Sequence, residues 1–187
     1  MTKTAESELY RLFLIEGLPE PLTPASAHLQ VFDNYIEGTR LRLRKVRDPY
    51  SNTWTYALQQ HIYAHDGETG PAKMAELHLN DLEYGVFEGL EGNEIRKNRY
   101  YHEYDQVSFT FDVYLGRLFG LNTARVDFDS ERVMEEFVSP PFAIFEVTGD
   151  PFFRGDDLVH KVFADVQARV AEIGAANPPS PNLEPDR

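Results

Sequence analysis

The sequence predicts a mainly β protein of the α+β type: an eight-stranded antiparallel β-barrel with flanking helices and an amphipathic C-terminal helix. Three observations predict it. Apolar and polar residues alternate with a period of two through the first three quarters of the chain, as half-buried strands require. The alternating runs are short and separated by turn-forming stretches. The period changes to 3.6 near the end, where one long apolar stripe runs from Leu158 to Ile173. Many short apolar strands would expose sticky edges, and closure into a barrel removes them.

Each element has its own signal. Glu8 to Ile15 reads as a strongly apolar first strand, Leu22 to Gln30 as a loop, and Val31 to Tyr35 as a further strand. Thr39 to Val46 alternates most cleanly, and the turn Asp48–Asn52 returns it through Trp54 to Tyr63 as a hairpin. After a loop at His65 to Pro71, Met74 to Leu79 alternates again. Leu82, Val86 and Leu90 then recur at helical spacing behind Asp81 as N-cap, with Gly92 as the stop. Strands resume at Glu94–Tyr101, Val107–Leu115, Ala124–Phe128 and Ala143–Thr148, with a short helix at Ser130–Phe137. Phe109, Phe111, Phe142, Phe145, Phe152 and Phe153 read as packing between barrel and helices. Asp156 to Ile173 reads as one helix closed by Gly174. Residues 1–174 are expected to form one domain, and 175–187 a Pro-rich, disordered tail.

Bulk composition narrows the function classes. The chain's 187 residues suffice for one core without staples. A net charge of −13 argues against a broad DNA-binding or anionic-membrane surface, so neither partner is expected. With no cysteine, disulfide scaffolds and thiolate metal sites are excluded. No run approaches the length of a membrane span, and Met1 to Glu8 lacks a signal-like apolar region, so a cytoplasmic protein is expected.

A local basic site can still exist inside an acidic chain. Arg40 to Arg47 holds five basic residues and no acid. On an extended strand Arg40, Arg42 and Arg44 share one face, spaced roughly 6.8 Å apart, and repel one another unless anions sit among them. The planar guanidinium fork suits phosphate or carboxylate and keeps its charge. The same parity groups Lys97 with Arg99, Asp112 with Thr110, and Arg125 with Asp127. Two arrangements fit this pattern: charges inside with apolar residues packed outward, or a solvated charged face around an apolar interior.

The order and spacing of these segments resemble the CYTH superfamily, the triphosphate tunnel metalloenzymes, over roughly residues 6–165. The run ELYRLFLI stands where the family has an E-x-E-x-K strand of the type EIERKFLV. Arg42-Leu43-Arg44 matches its R-x-R strand, and Lys97-Asn98-Arg99-Tyr100 its K-x-R-Y segment. Asp112-Val113-Tyr114-Leu115-Gly116 matches D-V-F/Y-x-G, and Glu146-Val147-Thr148-Gly149-Asp150 matches E-V-T-x-D. The resemblance implies an eight-stranded tunnel in which basic residues hold a triphosphate and carboxylates bind Mg²⁺ or Mn²⁺, with no organic cofactor. It implies anion binding by Arg42, Arg44, Lys97 and Arg99, with Arg40 and Arg125 as added cations. It also implies metal ligation by Glu8, Asp127 and Glu146, with Asp112 and Glu76 as further ligands, and Glu8 and Asp127 as catalytic candidates.

The sequence departs from the family at its acids. Tyr10 and Leu12 replace the second acid and the lysine of the first strand, and Gln59 replaces the hairpin lysine. His78 and Thr110 stand where acids are usual, and Phe152 and Phe153 where a base and a tyrosine are usual. Arg125-Val126-Asp127 takes the place of the late E-x-E pair. A guanidinium in a carboxylate's place changes the local charge by two units, worth several kcal/mol against a divalent cation at ~4 Å and an effective dielectric constant of ~20. The expected function is binding of a triphosphate- or polyphosphate-type anion, with phosphohydrolase activity divergent, weak or lost. The alternatives are an active Mg²⁺/Mn²⁺-dependent triphosphatase acting on an inorganic, nucleoside or thiamine triphosphate, and a structural barrel whose charges satisfy one another. The oligomeric state is open, a homodimer included.

Overall fold

In a computed structural model of the chain, which describes residues 3–7, 9–62 and 73–176, the alternating runs form one ten-stranded antiparallel sheet. The strands are β1 (Lys3–Ser7), β2 (Tyr10–Ile15), β3 (Leu29–Ile36), β4 (Leu41–Asp48), β5 (Thr53–Ile62), β6 (Lys73–Leu79), β7 (Gly92–Tyr104), β8 (Val107–Tyr114), β9 (Asn122–Asp127) and β10 (Ala143–Glu146). Their order is β1-β6-β5-β4-β3-β7-β8-β9-β2-β10. The run expected as one strand from Glu8 is two, with Glu8 and Leu9 between them. β1 pairs with β6 while β2 pairs with β9, so one stretch of chain meets both ends of the intervening seven strands. The ladder itself is open, ending in β1 and β10. Ten strands in an open ladder thus stand where eight closed strands were expected, and the mainly β, antiparallel class is as expected. The loop expected at His65 to Pro71, the tail from residue 177 and the candidate Glu8 lie outside the described residues.

The sheet resolves the choice that parity left open. On β8, Phe109 and Phe111 point outward into a buried cluster with Phe13, Ile15, Tyr100 and Val126. Leu18 and Leu22 from the loop after β2, and Phe137 and Phe142 from a segment far along the chain, cover that cluster. Burial of each such side chain contributes about 1.5–3 kcal/mol, a strong bias for one face. Thr110, Asp112 and Tyr114, on the other face of the same strand, line a central cavity. The polar side is therefore inside.

The helices correct four expectations. α1 (Asp81–Glu88) starts behind Asn80, not Asp81, and Asn80 and Glu83 form a reciprocal capping box. Its Leu82 and Val86 are 85% and 75% exposed, so the expected apolar stripe faces away from the protein. Tyr84 makes the contact instead, with its ring 4.4 Å from that of Tyr56. α2 (Glu131–Glu136) is capped by Ser130. The single C-terminal helix is two, α3 (Gly155–Leu158) and α4 (Phe163–Ala176), and Gly174 lies inside α4. The Val162 N–H donates to the Asp165 carboxylate at 2.8 Å, which caps the new start. Leu158, Val159 and Val166 nevertheless share one core with Leu14, Ile95 and Tyr114, which explains why the stripe reads as continuous. No helix among the described residues is long and apolar enough to cross a membrane.

Candidate anion-binding site

The inner faces of β2 to β9 surround a cavity of about 420 Å³. Among the described residues, each buried polar or charged residue lines it: Asp33, Arg42, Gln59, Lys97, Asp112 and Thr123. Six cations stand against four carboxylates on its described walls, an excess of two positive charges inside a chain of net −13. The cations are Arg42, Arg44, Lys97, Arg99, Arg125 and Arg154; the acids are Asp33, Glu76, Asp112 and Asp127. His61 also faces inward, and burial with the nearby Arg42 and Arg44 charges pushes its pKa down to about 3, so it adds no charge near neutrality.

One cluster is built across β3, β4 and β5. Asp33 opposes Arg44 in the β3–β4 register, and the guanidinium donates to both carboxylate oxygens at 2.6 and 2.7 Å. Arg42 Nε lies 3.7 Å from the same carboxylate and donates to Gln59 Oε1 at 2.7 Å, while its Nη1 donates to Tyr35 Oη at 3.2 Å. Gln59 in turn donates to Glu76. Burial opposes ionisation of Asp33, but the Arg44 and Arg42 charges prevail and hold its carboxyl well below the usual range. Burial likewise disfavours the Arg42 charge, and Asp33 outweighs it.

A second cluster spans β7 and β8. Arg99 opposes Asp112 and donates to both its oxygens, each at 2.7 Å, while Lys97 Nζ lies 2.6 Å from Oδ2. Burial of Asp112 is again outweighed, here by Arg99 and Lys97, and its carboxyl is held low. Burial lowers the Lys97 pKa to about 8; Asp112 resists this and Arg99 adds to it. Arg44 and Arg99 each spend two N–H groups on a carboxylate and keep others of their five. The two acids thus orient the forks without exhausting them.

Arg125 and Asp127 form a third group on β9. Arg125 Nε donates to Asp127 Oδ1 at 2.9 Å, and its guanidinium carbon sits 4.0 Å above the Tyr10 ring centroid. Arg154 enters from the segment after β10, with Phe153 and Gly155 beside it. A Cβ on Gly155 would lie 1.7 Å from Tyr35 Oη, so that segment sits directly against the Asp33 cluster.

The cavity brings together Arg42, Arg44, Lys97, Arg99, Arg125, Glu76, Asp112 and Asp127 from the sequence-predicted set. It does not bring Arg40, which precedes β4, is exposed, and borders a separate cavity of about 140 Å³ with Glu37, Asp156 and His160. Nor does it bring Glu146, which accepts from Arg11 Nε at 2.9 Å and from Thr148 Oγ1 at 2.7 Å away from the lumen. Sequence reasoning missed Asp33, Tyr35 and Arg154. Asp33 and Tyr35 share a parity on their strand, which was a usable signal; Arg154 lies two positions past the expected base at Phe152.

Among the described residues, which do not include Glu8, the donor set fits Mg²⁺ or Mn²⁺ poorly. Among the described residues no group of three or more histidine or acidic side chains is placed to hold a metal ion. Asp33 and Asp112 commit both oxygens to guanidinium forks, and Asp127 already takes Arg125.

No protein-family model and no curated protein matches the chain. Solved structures do. One is the crystal structure of the hypothetical protein NE1496, at a TM-score of 0.56 and 22% identity, covering 83% of this chain and 99% of that one. Another is the crystal structure of the inorganic triphosphatase NE1496, at 0.57 and 21% identity, covering 84% and 97%. The strand order and these likenesses agree: the chain shares the fold of those structures.

Proposed function

We propose that the chain binds a triphosphate- or polyphosphate-type anion in its tunnel, with phosphohydrolase activity that is divergent, weak or lost. The observation that carries this reading is the excess of inward-facing cations, oriented by buried carboxylates, around a closed-in cavity of an acidic protein. Guanidinium forks already turned into the lumen bind phosphate oxygens with little ordering cost. A chain of linked phosphates would meet the Arg42–Arg44 and Lys97–Arg99 clusters together, where a single phosphate meets one. The likeness to an inorganic triphosphatase supports the ligand class. Phosphoryl transfer needs charge neutralisation on both attacking and leaving oxygens, and the tunnel supplies cations for this. The lumen acids that would assist it are engaged by cations or amides, which supports reduced turnover. A cytoplasmic location belongs to the same proposal.

Calorimetric titration with tripolyphosphate, ATP and thiamine triphosphate tests it. Binding of at least one is expected, and failure of all three rejects the proposal in favour of a barrel whose charges satisfy one another. Phosphate release in Mg²⁺ or Mn²⁺ is expected to be slow or absent. Turnover of about 1 s⁻¹ or faster would replace the reading with that of an active triphosphatase.

A further inference from the structure

We infer that the anion taken by the tunnel carries an aromatic organic group, and that this group lies beside Tyr101 in an outer cavity at the β7–β8 hairpin. This rests on the reading of the tunnel as a polyanion site. The outer cavity has a volume of about 410 Å³, within the range of small-ligand sites. It shares Tyr101, Thr110 and Asp127 with the tunnel cavity, so the two adjoin along that wall. Strand register arranges the wall in layers. Arg99 opposes Asp112, the next pair on the same face is Tyr101 with Thr110, and the one after is Glu103 with Ser108. Successive layers lie roughly 6.8 Å apart. Their chemistry changes from a guanidinium fork to a ring and a hydroxyl, and then to a carboxylate and a hydroxyl.

A phosphate chain prolonged past Tyr101 would meet the Glu103 carboxylate, and like charges oppose that extension. Among the described residues of the outer walls there is no lysine or arginine to offset it. An aromatic group suits the same walls. Tyr101 is 59% exposed, whereas Phe109 and Phe111 on the facing strand are buried. A flat ring laid on Tyr101 removes apolar surface of both from water, and such stacking tolerates many ring types. The Ser108 and Thr110 hydroxyls and the Glu103 carboxylate are placed to bond the polar edges of that ring or of its linker. Tyr101 follows Arg99 by two residues on one face, so a group stacked there lies where the cationic wall ends.

The test is calorimetric titration of the full chain and its Tyr101→Ala variant with tripolyphosphate, ATP and thiamine triphosphate. Tyr101→Ala is expected to weaken binding of ATP, thiamine triphosphate or both about tenfold or more, and that of tripolyphosphate less than about threefold. Retained tripolyphosphate binding also shows that the variant is folded. Tyr101→Phe, which keeps the ring, is expected to retain most of the affinity for the organic triphosphate. Excess tripolyphosphate is expected to displace whichever organic triphosphate binds, since both place phosphates in the tunnel. Equal weakening of every ligand by Tyr101→Ala, or unchanged affinity for every ligand, overturns the inference. So does an organic triphosphate that tripolyphosphate fails to displace, or binding of tripolyphosphate alone. Each of these leaves the tunnel reading standing, whereas failure of all three ligands to bind the natural chain overturns the tunnel reading itself.

Discussion

Arg99 and Asp112 stand directly opposite one another on β7 and β8, and two N–H···O bonds of 2.7 Å join them inside the tunnel. The register places the pair and burial makes it strong. Lys97, two residues along the same face, shares the same carboxylate at 2.6 Å. A polar interior persists here because each buried charge has a geometrically matched partner.

Removing that shared carboxylate should be costly. Asp112→Asn leaves Arg99 and Lys97 facing each other, and a loss of about 3–5 kcal/mol is expected in equilibrium urea denaturation. A loss under about 1 kcal/mol would mean that the pairs behave like exposed ones.

Acid should act through the same pairs. Folding holds Asp33 and Asp112 below their ordinary value of 3.8. A carboxyl held low in the folded state stabilises above its unfolded value and loses that contribution as pH falls through the folded one. Stability from these groups is therefore expected to be level down to about pH 4 and to fall below it. Urea midpoints measured across that range, with Asp33→Asn showing a shallower fall than the natural chain, check the sign.

Fork geometry should matter beyond charge. Exchanging both Arg42 and Arg44 for alanine would strip Asp33 of its guanidiniums and unsettle the fold along with the site. Arg42→Lys with Arg44→Lys keeps the charges and removes the forks. Tripolyphosphate affinity is expected to drop about tenfold or more while circular dichroism still shows the β fold. Undiminished affinity would mean that point charge alone suffices.

Lys97 should make anion binding depend on pH. Its protonated form attracts the ligand, and burial brings its pKa to about 8. Affinity is expected to fall as pH rises through about 8, and Lys97→Arg should flatten that fall. Calorimetry in buffers of differing ionisation enthalpy should also register proton uptake on binding near that pH.

Gly155 tests the join between the capping segment and the tunnel. A methyl group there meets the Tyr35 hydroxyl that Arg42 bonds, so Gly155→Ala must displace the ring, the segment or both. A cost of about 1–3 kcal/mol is expected, with weaker tripolyphosphate binding than in the natural chain. Unchanged stability and affinity would mean that the segment gives way freely.

Local pattern made much of the site legible. Parity alone groups Arg42 with Arg44, Lys97 with Arg99 and Arg125 with Asp127, because side chains on a strand alternate whatever the strand pairs with. Arg40 breaks the series: Gly38, at φ 69°, and the bond from Thr39 Oγ1 to the Ile36 carbonyl form a turn, and β4 begins only at Leu41. Glu146 was misplaced for a related reason. The β10–β2 register is irregular between Ala143 and Phe145, and the strand presents Glu146 to Arg11 outside the lumen. Asp33 shares a strand face with Tyr35, but its role comes from a pairing with Arg44 eleven residues away, which parity alone does not show.

The sequence by itself determined the strands, the faces that their residues share and the resemblance that named the fold, all of which depend on spacing along the chain. Only the tertiary structure decided that the charged faces point inward, because that choice rests on Phe137 and Phe142 arriving from distant segments to cover the opposite side. It also decided that Asp33 and Asp112 hold arginines. A carboxylate reads the same in sequence whether its neighbour is a metal or a guanidinium, and strand register settles which one it meets.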